Sequence, residues 1–324
     1  MRPAPFSYVR PRTAGEAVDH LAAAARDGRE ARVLAGGQSL VPLLNRRLVR
    51  PDLLVDLGRL PRLAGVLADG TGVRIGATTP HAVLEHGADP VLRHRLPVLA
   101  EAAALIGQPP VRARGTVGGS LAHADPCAEW CLLAVLLDAE LTLLGPDGTR
   151  TLDAPAFLRG RHRTALRAGE ILTAVRFPHA EPAAVLVEYG VQTGRLPEAA
   201  ASAALTLGAD GRITAARIAV AGPWEVPVRA HAAEALLTGA RPEPDAFAAA
   251  ARAAVAAAGA GGPSGGSSGA YGDSFDDSSG PSGGHFESGE LASLAEVLLR
   301  RALAGSAGRA RAAAVAHRPE AVAA

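Results

Sequence analysis

The sequence predicts an α+β fold, and three observations lead to that prediction. Short strand-like and helix-like segments are mixed in the first half of the chain, without the long regular alternation of a doubly wound parallel sheet. In the second half, two strand-like runs joined by a hairpin signal precede two alanine-rich helices. At 324 residues the chain is long enough for two domains with sizeable cores.

The first predicted elements are a helix and three short strands. Thr13 and Glu16 form a capping box ahead of a helical run at 17–26, which Gly28 ends. Strand-like runs follow at 32–34, 53–57 and 73–76.

The middle of the chain is predicted to form helices on both sides of a glycine- and proline-rich loop. A helix starts where Thr79 precedes Pro80, and a longer helix over 91–106 is stopped by a Pro-Pro pair. Residues 108–126 are predicted to form a loop, because glycines and prolines follow one another closely there. A helix at 128–137, a strand at 141–144 and a turn at 145–148 come next.

The second half carries the hairpin and more helices. The predicted strands are 200–207 and 213–220, and the predicted helices are 231–237, 245–258 and 291–303. Gly, Ser and Asp dominate residues 259–289, which are interpreted as a flexible insertion because they cannot bury enough apolar area to order themselves. The Ala- and Arg-rich tail after Gly308 is expected to fray.

Composition excludes several classes of chemistry. All 33 basic residues are Arg, so a Schiff-base lysine, a P-loop phosphate lysine and a serine–lysine nucleophile pair are excluded. The formal net charge of +1 gives no reason to expect nucleic acid or an anionic membrane surface as a partner.

The cysteines and the apolar runs predict a cytoplasmic protein with no metal cluster of its own. Cys127 and Cys131 are too few for an iron–sulfur cluster and are interpreted as buried packing thiols. His123 is interpreted as a hydrogen-bonding residue rather than a ligand. No signal-peptide core is found in residues 1–12, and no apolar run reaches the roughly 18 residues of a membrane span.

The first candidate site is the pair Gly36 and Gly37, which follows a predicted strand. Paired glycines accept positive φ and allow successive backbone N–H groups to point at one anion. In a chain without lysine, a diphosphate there would be bound by amides and by a helix N-terminus. The alternative is an ordinary glycine turn in which Ser39 caps a helix.

A second pair, Gly118 and Gly119, again precedes a hydroxyl residue, Ser120. Two such turns, 82 residues apart (118 − 36), could enclose one extended diphosphate from both sides. Asp125 and Glu129 follow closely and are suited to ribose or adenine groups of the same ligand. The alternative for both acids is capping of the next helix and interaction with its dipole.

The run VRARGTVGGSLAHADP at 111–126 is highly specific. With the first glycine turn and the segments 51–57 and 75–79, it closely resembles the FAD-binding medium subunit of molybdenum hydroxylases, as found in carbon monoxide and xanthine dehydrogenases. The resemblance runs from about residue 6 to 178 and more weakly to 303.

That resemblance implies the fold and its domains. A two-subdomain FAD-binding domain of the PCMH type, shared with vanillyl-alcohol oxidases, would span 1–178, with subdomains at about 1–58 and 59–178. A smaller α+β domain like the C-terminal domain of carbon monoxide dehydrogenase flavoproteins would span 183–305, followed by a tail at 306–324.

The resemblance also implies noncovalent FAD, because Gln38 stands where some flavin oxidases have a covalently linked His. The two glycine segments would hold the pyrophosphate and ribityl chain, Glu129 would contact the adenosine half, and Leu172 would pack near the flavin ring. The expected cofactor-binding residues are Leu34, Ala35, Gly36, Gly37, Gln38, Ser39, Leu40, Thr116, Val117, Gly118, Gly119, Ser120, Asp125, Glu129 and Leu172.

By the same resemblance the chain is an FAD-dependent oxidoreductase subunit. Electrons would arrive from the 2Fe–2S clusters of a small subunit, which drain the molybdopterin site of a large subunit, and would leave to oxygen, a quinone or NAD. The flavin supplies the chemistry, so no catalytic acid, nucleophile or metal ligand is expected here. The alternatives are a standalone flavoenzyme that has lost its partners and a non-catalytic interaction protein on a decayed scaffold.

Two segments depart from the family pattern. The relatives' basic, Gly-Asp-containing segment reads EYGVQTGRLPE at 188–198, where Tyr189 replaces the expected Lys and the Asp is missing. A different hold on the pyrimidine end of the flavin is therefore expected. Leu291 and Ala292 stand where relatives have a Tyr-Arg pair, so the usual subunit packing is not carried over.

Overall fold

A computed structural model of the chain describes residues 2–69, 72–87, 90–178, 180–190, 196–260 and 287–316. Strands and helices are mixed throughout these ranges, which confirms the α+β class.

A parallel sheet comes first in the chain. Its elements are β1 Ser7–Val9, α1 Ala14–Arg26, β2 Ala31–Leu34, α2 Leu40–Arg46 and β3 Leu53–Asp56. β3 lies between β1 and β2 and is parallel to both. The carboxyl ends of these strands therefore meet at one edge of the sheet.

The capping box predicted at the start of α1 is confirmed. The Thr13 hydroxyl accepts the Glu16 backbone N–H at 3.1 Å, and the Glu16 carboxylate accepts the Arg12 backbone N–H at 2.7 Å. After the helix, Gly28 adopts φ 68°, which is the left-handed conformation typical of helix ends.

An antiparallel sheet with a layer of helices follows. Its elements in chain order are β4 Val66–Asp69, β5 Gly72–Gly76, α3 His81–Glu85, α4 Pro90–Arg95, α5 Pro97–Leu105, α6 Pro109–Arg114, α7 Val117–His123, α8 Glu129–Leu136, β6 Glu140–Gly145, β7 Gly148–Asp153, α9 Ala154–Phe157, β8 Leu158–Gly160, β9 Arg163–Thr164 and β10 Ile171–Phe177. The strand order is β4-β5-β10-β6-β7, and β8 pairs with β9 separately. Every residue of α8 is buried, so this helix lies at the centre of the chain.

Two predictions for this region are wrong. The helix predicted over 91–106 is divided at Leu96, because Pro97 has no amide hydrogen and begins α5 instead. The loop predicted over 108–126 contains α6 and α7. The Pro-Pro pair occupies the first turn of α6, where the missing amide hydrogens are not needed, and Thr116 caps α7.

The second half forms another antiparallel sheet covered by helices. Its elements are β11 Val185–Tyr189, β12 Ala199–Leu207, β13 Ile213–Ala221, β14 Val228–Arg229, α10 His231–Leu237, α11 Pro244–Ala260 and α12 Ser288–Ala316. The predicted hairpin between β12 and β13 is confirmed. Among the described helices, none combines the length and apolar composition required to cross a membrane.

The last helix is longer than its sequence pattern indicates. The prediction ended it at 303 and expected fraying after Gly308, but α12 continues to Ala316. Ser306 explains part of this, because its buried hydroxyl accepts the Leu205 backbone N–H at 2.8 Å and ties the helix to β12. Most of the insertion predicted at 259–289 lies outside the described residues.

The sheet of the second half is buried on both faces. Successive strand residues point to opposite faces, so Ala201 and Ala203 contact the core under α10–α12, whereas Ala200 and Ala204 belong to the core around α8. Small side chains on the second face allow α8 to lie close to the strands. The two halves of the chain therefore share one hydrophobic core.

Ion pairs at the end of α8 also join the two halves. Asp138, which has φ 51°, pairs with Arg217 of β13 and lies 2.8 Å from Arg229 of β14. Arg229 also donates to the Leu136 carbonyl at 2.9 Å and pairs with Glu234. The Arg229 and Glu234 side chains are only 11% and 12% exposed, so solvent screens this pair weakly.

We predict that Arg229→Met lowers the free energy of unfolding by about 3 kcal/mol, because Glu234 would be left buried without its guanidinium partner. Guanidinium denaturation measures this change. The matched control is Arg29→Met, which removes a pair with Asp27 at 44% and 60% exposure and should change stability by less than about 1 kcal/mol. Equal effects of the two substitutions would contradict this role of Arg229.

Candidate functional site

A cleft of about 720 Å³ opens at the carboxyl edge of the parallel sheet. Arg10, Gly36 and Arg59 line it from the segments that follow β1, β2 and β3. Thr78 and Thr116 line it from the antiparallel unit. Crevices outside the carboxyl ends of parallel strands are common ligand sites, so the cleft is the candidate functional site.

The structure brings part of the predicted residue set to this cleft. The predicted residues that line it are Leu34, Ala35, Gly36, Gly37, Gln38 and Thr116. Ser39 and Leu40 are adjacent in the chain, at the start of α2, but do not line it. The remaining predicted residues lie elsewhere, as the following paragraphs describe.

The first glycine turn keeps its amides free. Gly37 adopts φ 74°, and its carbonyl accepts the Val41 backbone N–H at 3.0 Å. Within the described chain, the backbone N–H groups of residues 36–40 donate no hydrogen bond. Ser39 makes no side-chain capping bond, so the alternative in which its hydroxyl caps α2 is not what the structure shows. Successive amides remain available to an acceptor.

The two glycine segments touch through their backbones. A Cβ atom on Gly36 would lie 2.1 Å from the Arg114 carbonyl oxygen and 2.7 Å from the Gly115 Cα. A Cβ on Gly118 would lie 2.4 Å from the Cβ of Ala77. No L side chain fits at these distances, so both positions require glycine for the close approach that forms one wall of the cleft.

The second glycine segment is the first turn of α7, and its amides are already used. Gly118 donates to the Ala77 carbonyl at 2.8 Å, and Gly119 donates to the Thr116 hydroxyl at 3.1 Å. The other amides of this turn also donate to carbonyls, Val117 to Thr79 at 3.1 Å and Ser120 to Thr116 at 3.0 Å. Free amides for an anion are therefore found on the first segment. A cofactor contact for residues 117–120 stays a prediction.

Two arginines add positive charge to the cleft and were not selected from the sequence. Arg59 and Arg114 both line it, and neither side chain forms a hydrogen bond or ion pair with another described residue. Arg10 is held instead by the Tyr8 hydroxyl and lies 3.5 Å from Asp56. Unpaired guanidinium groups suit phosphate oxygens. The position of Arg59, three residues after β3, is a signal that sequence reasoning could have used.

His81 contacts the chain just before the second glycine segment, and it was not selected from the sequence either. Its backbone N–H donates to the Gly115 carbonyl at 3.0 Å. Its ring Nδ1 accepts the Trp130 indole N–H at 3.1 Å inside the protein. Burial lowers the pKa of His81 to about 4, so the ring is neutral with its proton on Nε2. His81 therefore fixes where the chain enters α7.

Asp125 and Leu172 are buried and do not line the cleft. The Asp125 carboxylate accepts the Cys127 backbone N–H at 2.9 Å, as in a local turn. Leu172 is 6% exposed and belongs to the core around α8. Cys127 and Cys131 are buried free thiols, as predicted, and burial raises the pKa of Cys127 to about 12.

Glu129 is also buried, beside a second acid that the prediction did not include. Burial raises the pKa of Glu129 to about 8, and the neighbouring charge of Glu188 on β11 adds to the effect. Burial raises the pKa of Glu188 to about 7. Glu188 belongs to the segment that departs from the family pattern, of which residues 191–195 lie outside the described ranges.

Family models match both halves of the chain. The FAD binding domain in molybdopterin dehydrogenase matches residues 4–180, which is more than half of the sequence. The CO dehydrogenase flavoprotein C-terminal domain matches residues 196–271.

Curated relatives and a solved structure agree with these matches. The chain is 38% identical over 241 residues to 6-hydroxypseudooxynicotine dehydrogenase complex subunit alpha of Paenarthrobacter nicotinovorans, covering 73% of this chain and 79% of the relative. It is 37% identical over 243 residues to the carbon monoxide dehydrogenase medium chain of Afipia carboxidovorans, covering 74% and 82%. A solved carbon monoxide dehydrogenase from Hydrogenophaga pseudoflava, which lacks the Mo-pyranopterin moiety, superposes with TM-score 0.81 at 32% identity, over 95% of this chain and 99% of that one.

We predict that Gly36→Ala lowers the free energy of unfolding by about 3 kcal/mol, because the new methyl group would push against the Arg114 carbonyl. Guanidinium denaturation measures the loss. Gly15→Ala is the control, since its Cβ would meet only the Thr13 hydroxyl at 3.9 Å, and should stabilise helix α1 by up to about 1 kcal/mol. A Gly36→Ala protein as stable as the parent would show that the two segments do not touch.

The buried acids predict how stability depends on pH. Glu129 and Glu188 have folded-state pKa values of about 8 and 7, above the ordinary 4.5, so the folded chain binds more protons than the unfolded chain in this window. The contribution of these two acids to the free energy of unfolding should therefore fall as the pH rises from about 4.5 to 8. His81 and His123, whose pKa values burial lowers to about 4, act oppositely and add stability between pH 4 and 6.5.

Urea denaturation of the apoprotein from pH 5 to 9 should show stability that declines from about pH 6.5 to 8. Glu188→Gln should reduce the decline below about pH 7, because one of the two titrating groups is gone, and should leave the decline between about 7 and 8 that Glu129 contributes. Glu243→Gln, at an exposed position, should leave the profile unchanged. An undiminished decline in Glu188→Gln would refute the assignment.

Proposed function

Since the chain belongs to the FAD-binding medium subunits of the molybdenum hydroxylase family, we propose that it binds FAD across this cleft and relays electrons from a partner subunit to an external acceptor. Family membership makes FAD the cofactor and oxidoreduction the class of activity. The site, the partners and the direction of electron flow are the proposal.

The choice of this cleft as the FAD site rests on one observation. The unengaged backbone N–H groups of residues 36–40 and the unpaired side chains of Arg59 and Arg114 belong to the same cleft. A diphosphate needs several donors and compensation of negative charge, and amides beside guanidinium groups supply both. This donor set fits the diphosphate of FAD.

The residues of the chain then bind and orient the cofactor. The amides of the first glycine turn bind the diphosphate, and Arg59 and Arg114 compensate its charge. Thr116 borders the cleft where α7 begins and keeps that helix in place through its cap to Gly119. When bound, FAD supplies the electron-accepting and electron-donating chemistry.

We propose that FAD is held without a covalent bond. Gln38 lines the cleft and donates its side-chain amide to the Gly36 carbonyl at 3.2 Å. An amide side chain is not a nucleophile toward the flavin ring, in contrast to the imidazole found at this position in some flavin oxidases. The cofactor should therefore dissociate reversibly.

The proposed partners are a small subunit with 2Fe–2S clusters and a large subunit with molybdopterin, in a cytoplasmic complex. The names of the relatives, a complex subunit and a medium chain, support an assembly of several chains. Within this chain we propose an FAD-binding domain at 1–178 and a smaller domain at 183–305. Oxygen, a quinone or NAD would take the electrons.

We predict that the parent chain binds FAD reversibly and that Arg59→Gln and Arg114→Gln each raise its Kd at least about tenfold, since each removes a charged donor. The measurement is a titration of apoprotein with FAD, followed by visible absorbance. Arg212→Gln is the control, because Arg212 pairs with Asp210 in the exposed hairpin and should leave the Kd unchanged.

Purification of the chain from its native host tests the electron relay. Iron and molybdenum that co-purify with the chain from its native host would support the proposed complex. A yellow single chain that turns over its own substrate without partners would contradict the relay. A chain that binds no FAD at saturating concentration would contradict the proposed site.

A further inference from the structure

We propose that Arg112 is a positioning residue for FAD binding, which fixes helix α6 so that Arg114, two residues further on, presents its guanidinium group to the cleft. This role rests on the proposed function of the cleft. It belongs to a side chain that does not itself line the cleft.

Arg112 and Arg114 lie in the same helix but point in different directions. Successive residues of an α-helix are rotated by about 100°, so side chains two positions apart diverge by about 200°. Arg114 lines the cleft, whereas the Arg112 side chain is only 12% exposed and lies outside the lining. One arginine is therefore placed to meet a ligand, and the other is placed to hold the helix.

Hydrogen bonds fasten the Arg112 guanidinium group on two sides. Its Nε and Nη2 atoms donate to the two carboxylate oxygens of Glu85 at 2.7 and 2.8 Å. Its Nη1 atom donates to the carbonyl of Ile106 at 3.3 Å and to that of Gly107 at 3.0 Å. Because these bonds occupy most of the N–H donors of the rigid guanidinium fork, Arg112 holds its neighbours rather than a ligand.

The partners of Arg112 belong to two neighbouring helices. Glu85 is the last residue of α3, and the two carbonyls follow the end of α5. Carbonyls at the end of a helix have no partner within that helix, and its dipole favours a cation there. Arg112 thus joins α3, α5 and α6 at one point.

Helix α3 holds the same segment at its other end. His81, the first residue of α3, donates its backbone N–H to the Gly115 carbonyl at 3.0 Å. Glu85, the last residue of α3, binds Arg112. Arg114 lies between these two attachments. The ion pair therefore helps to set where the Arg114 backbone lies, and with it where the guanidinium group enters the cleft.

The test begins with the full chain and Arg112→Met, which removes the guanidinium group and keeps an unbranched side chain. The Kd for FAD, measured by titration of the apoprotein, should rise about tenfold, because a displaced Arg114 loses a charged hydrogen bond. The matched control is Arg217→Met in β13, which breaks a pair with Glu181 at 20% and 15% exposure. It should lower the unfolding midpoint and leave the Kd unchanged.

A double substitution separates positioning from stability. If Arg112 acts through Arg114, Arg112→Met should change the Kd by less than about twofold in an Arg114→Gln background, because a contact already lost cannot be lost again. The unfolding midpoint should fall equally in both backgrounds. Full and independent effects of the two substitutions on the Kd would overturn the proposal.

Arg112→Lys keeps the test decisive if the methionine variant does not fold. Lysine retains the charge beside Glu85 but lacks the planar fork that reaches the carboxylate and the carbonyls together. Its Kd should exceed that of the parent, and the Arg114→Gln background should again remove the difference. A parental Kd in every folded Arg112 variant would overturn the proposal.

Failure of this inference differs from failure of the proposed function. If Arg114→Gln weakens FAD binding and the Arg112 variants bind FAD as the parent does, Arg112 does not position the site and the cleft remains the site. If the parent chain binds no FAD, the proposed function and this inference fall together.

Discussion

The contact between Gly36 and the backbone at Arg114 and Gly115 is the constraint on which the site depends. A Cβ at Gly36 would lie 2.1 Å from a carbonyl oxygen, so the parallel sheet can approach α7 this closely only without a side chain there. That approach sets Thr116 across from the first glycine turn and forms the cleft. Gly118 against Ala77, and His81 against Gly115, hold the second segment in place.

Local signals predicted much of the fold. The capping box of α1 and the hairpin between β12 and β13 depend on residues close in sequence, and both are confirmed. The errors arise where one residue type serves two purposes. Pro97 divides a helix that apolar periodicity joins, and the Pro-Pro pair begins α6 although proline usually marks a stop. The continuation of α12 beyond residue 303 depends in part on a tertiary contact from Ser306, which no local pattern reveals.

The two glycine segments of the site could be predicted from the sequence, because backbone geometry requires glycine there. Paired glycines are rare enough in combination to mark both segments, but the sequence does not show whose amides are free. The amides of the second glycine segment donate to Thr116 and to the carbonyls of Ala77 and Thr79. This follows only from the packing of α7 on Ala77. Residues distant in sequence surround Arg114 and Glu188, so the surroundings of these two side chains became visible only in the fold.

Hydrogen exchange measured at single-residue resolution, with and without FAD, tests the central claim most directly. The amides of residues 36–40 have no acceptor in the described chain, whereas those of Val117 to Ser120 are already bonded. We expect FAD to slow exchange strongly at residues 36–40 and to change it little at 117–120. Protection that appears only at the second segment would contradict binding of the diphosphate by the first glycine turn.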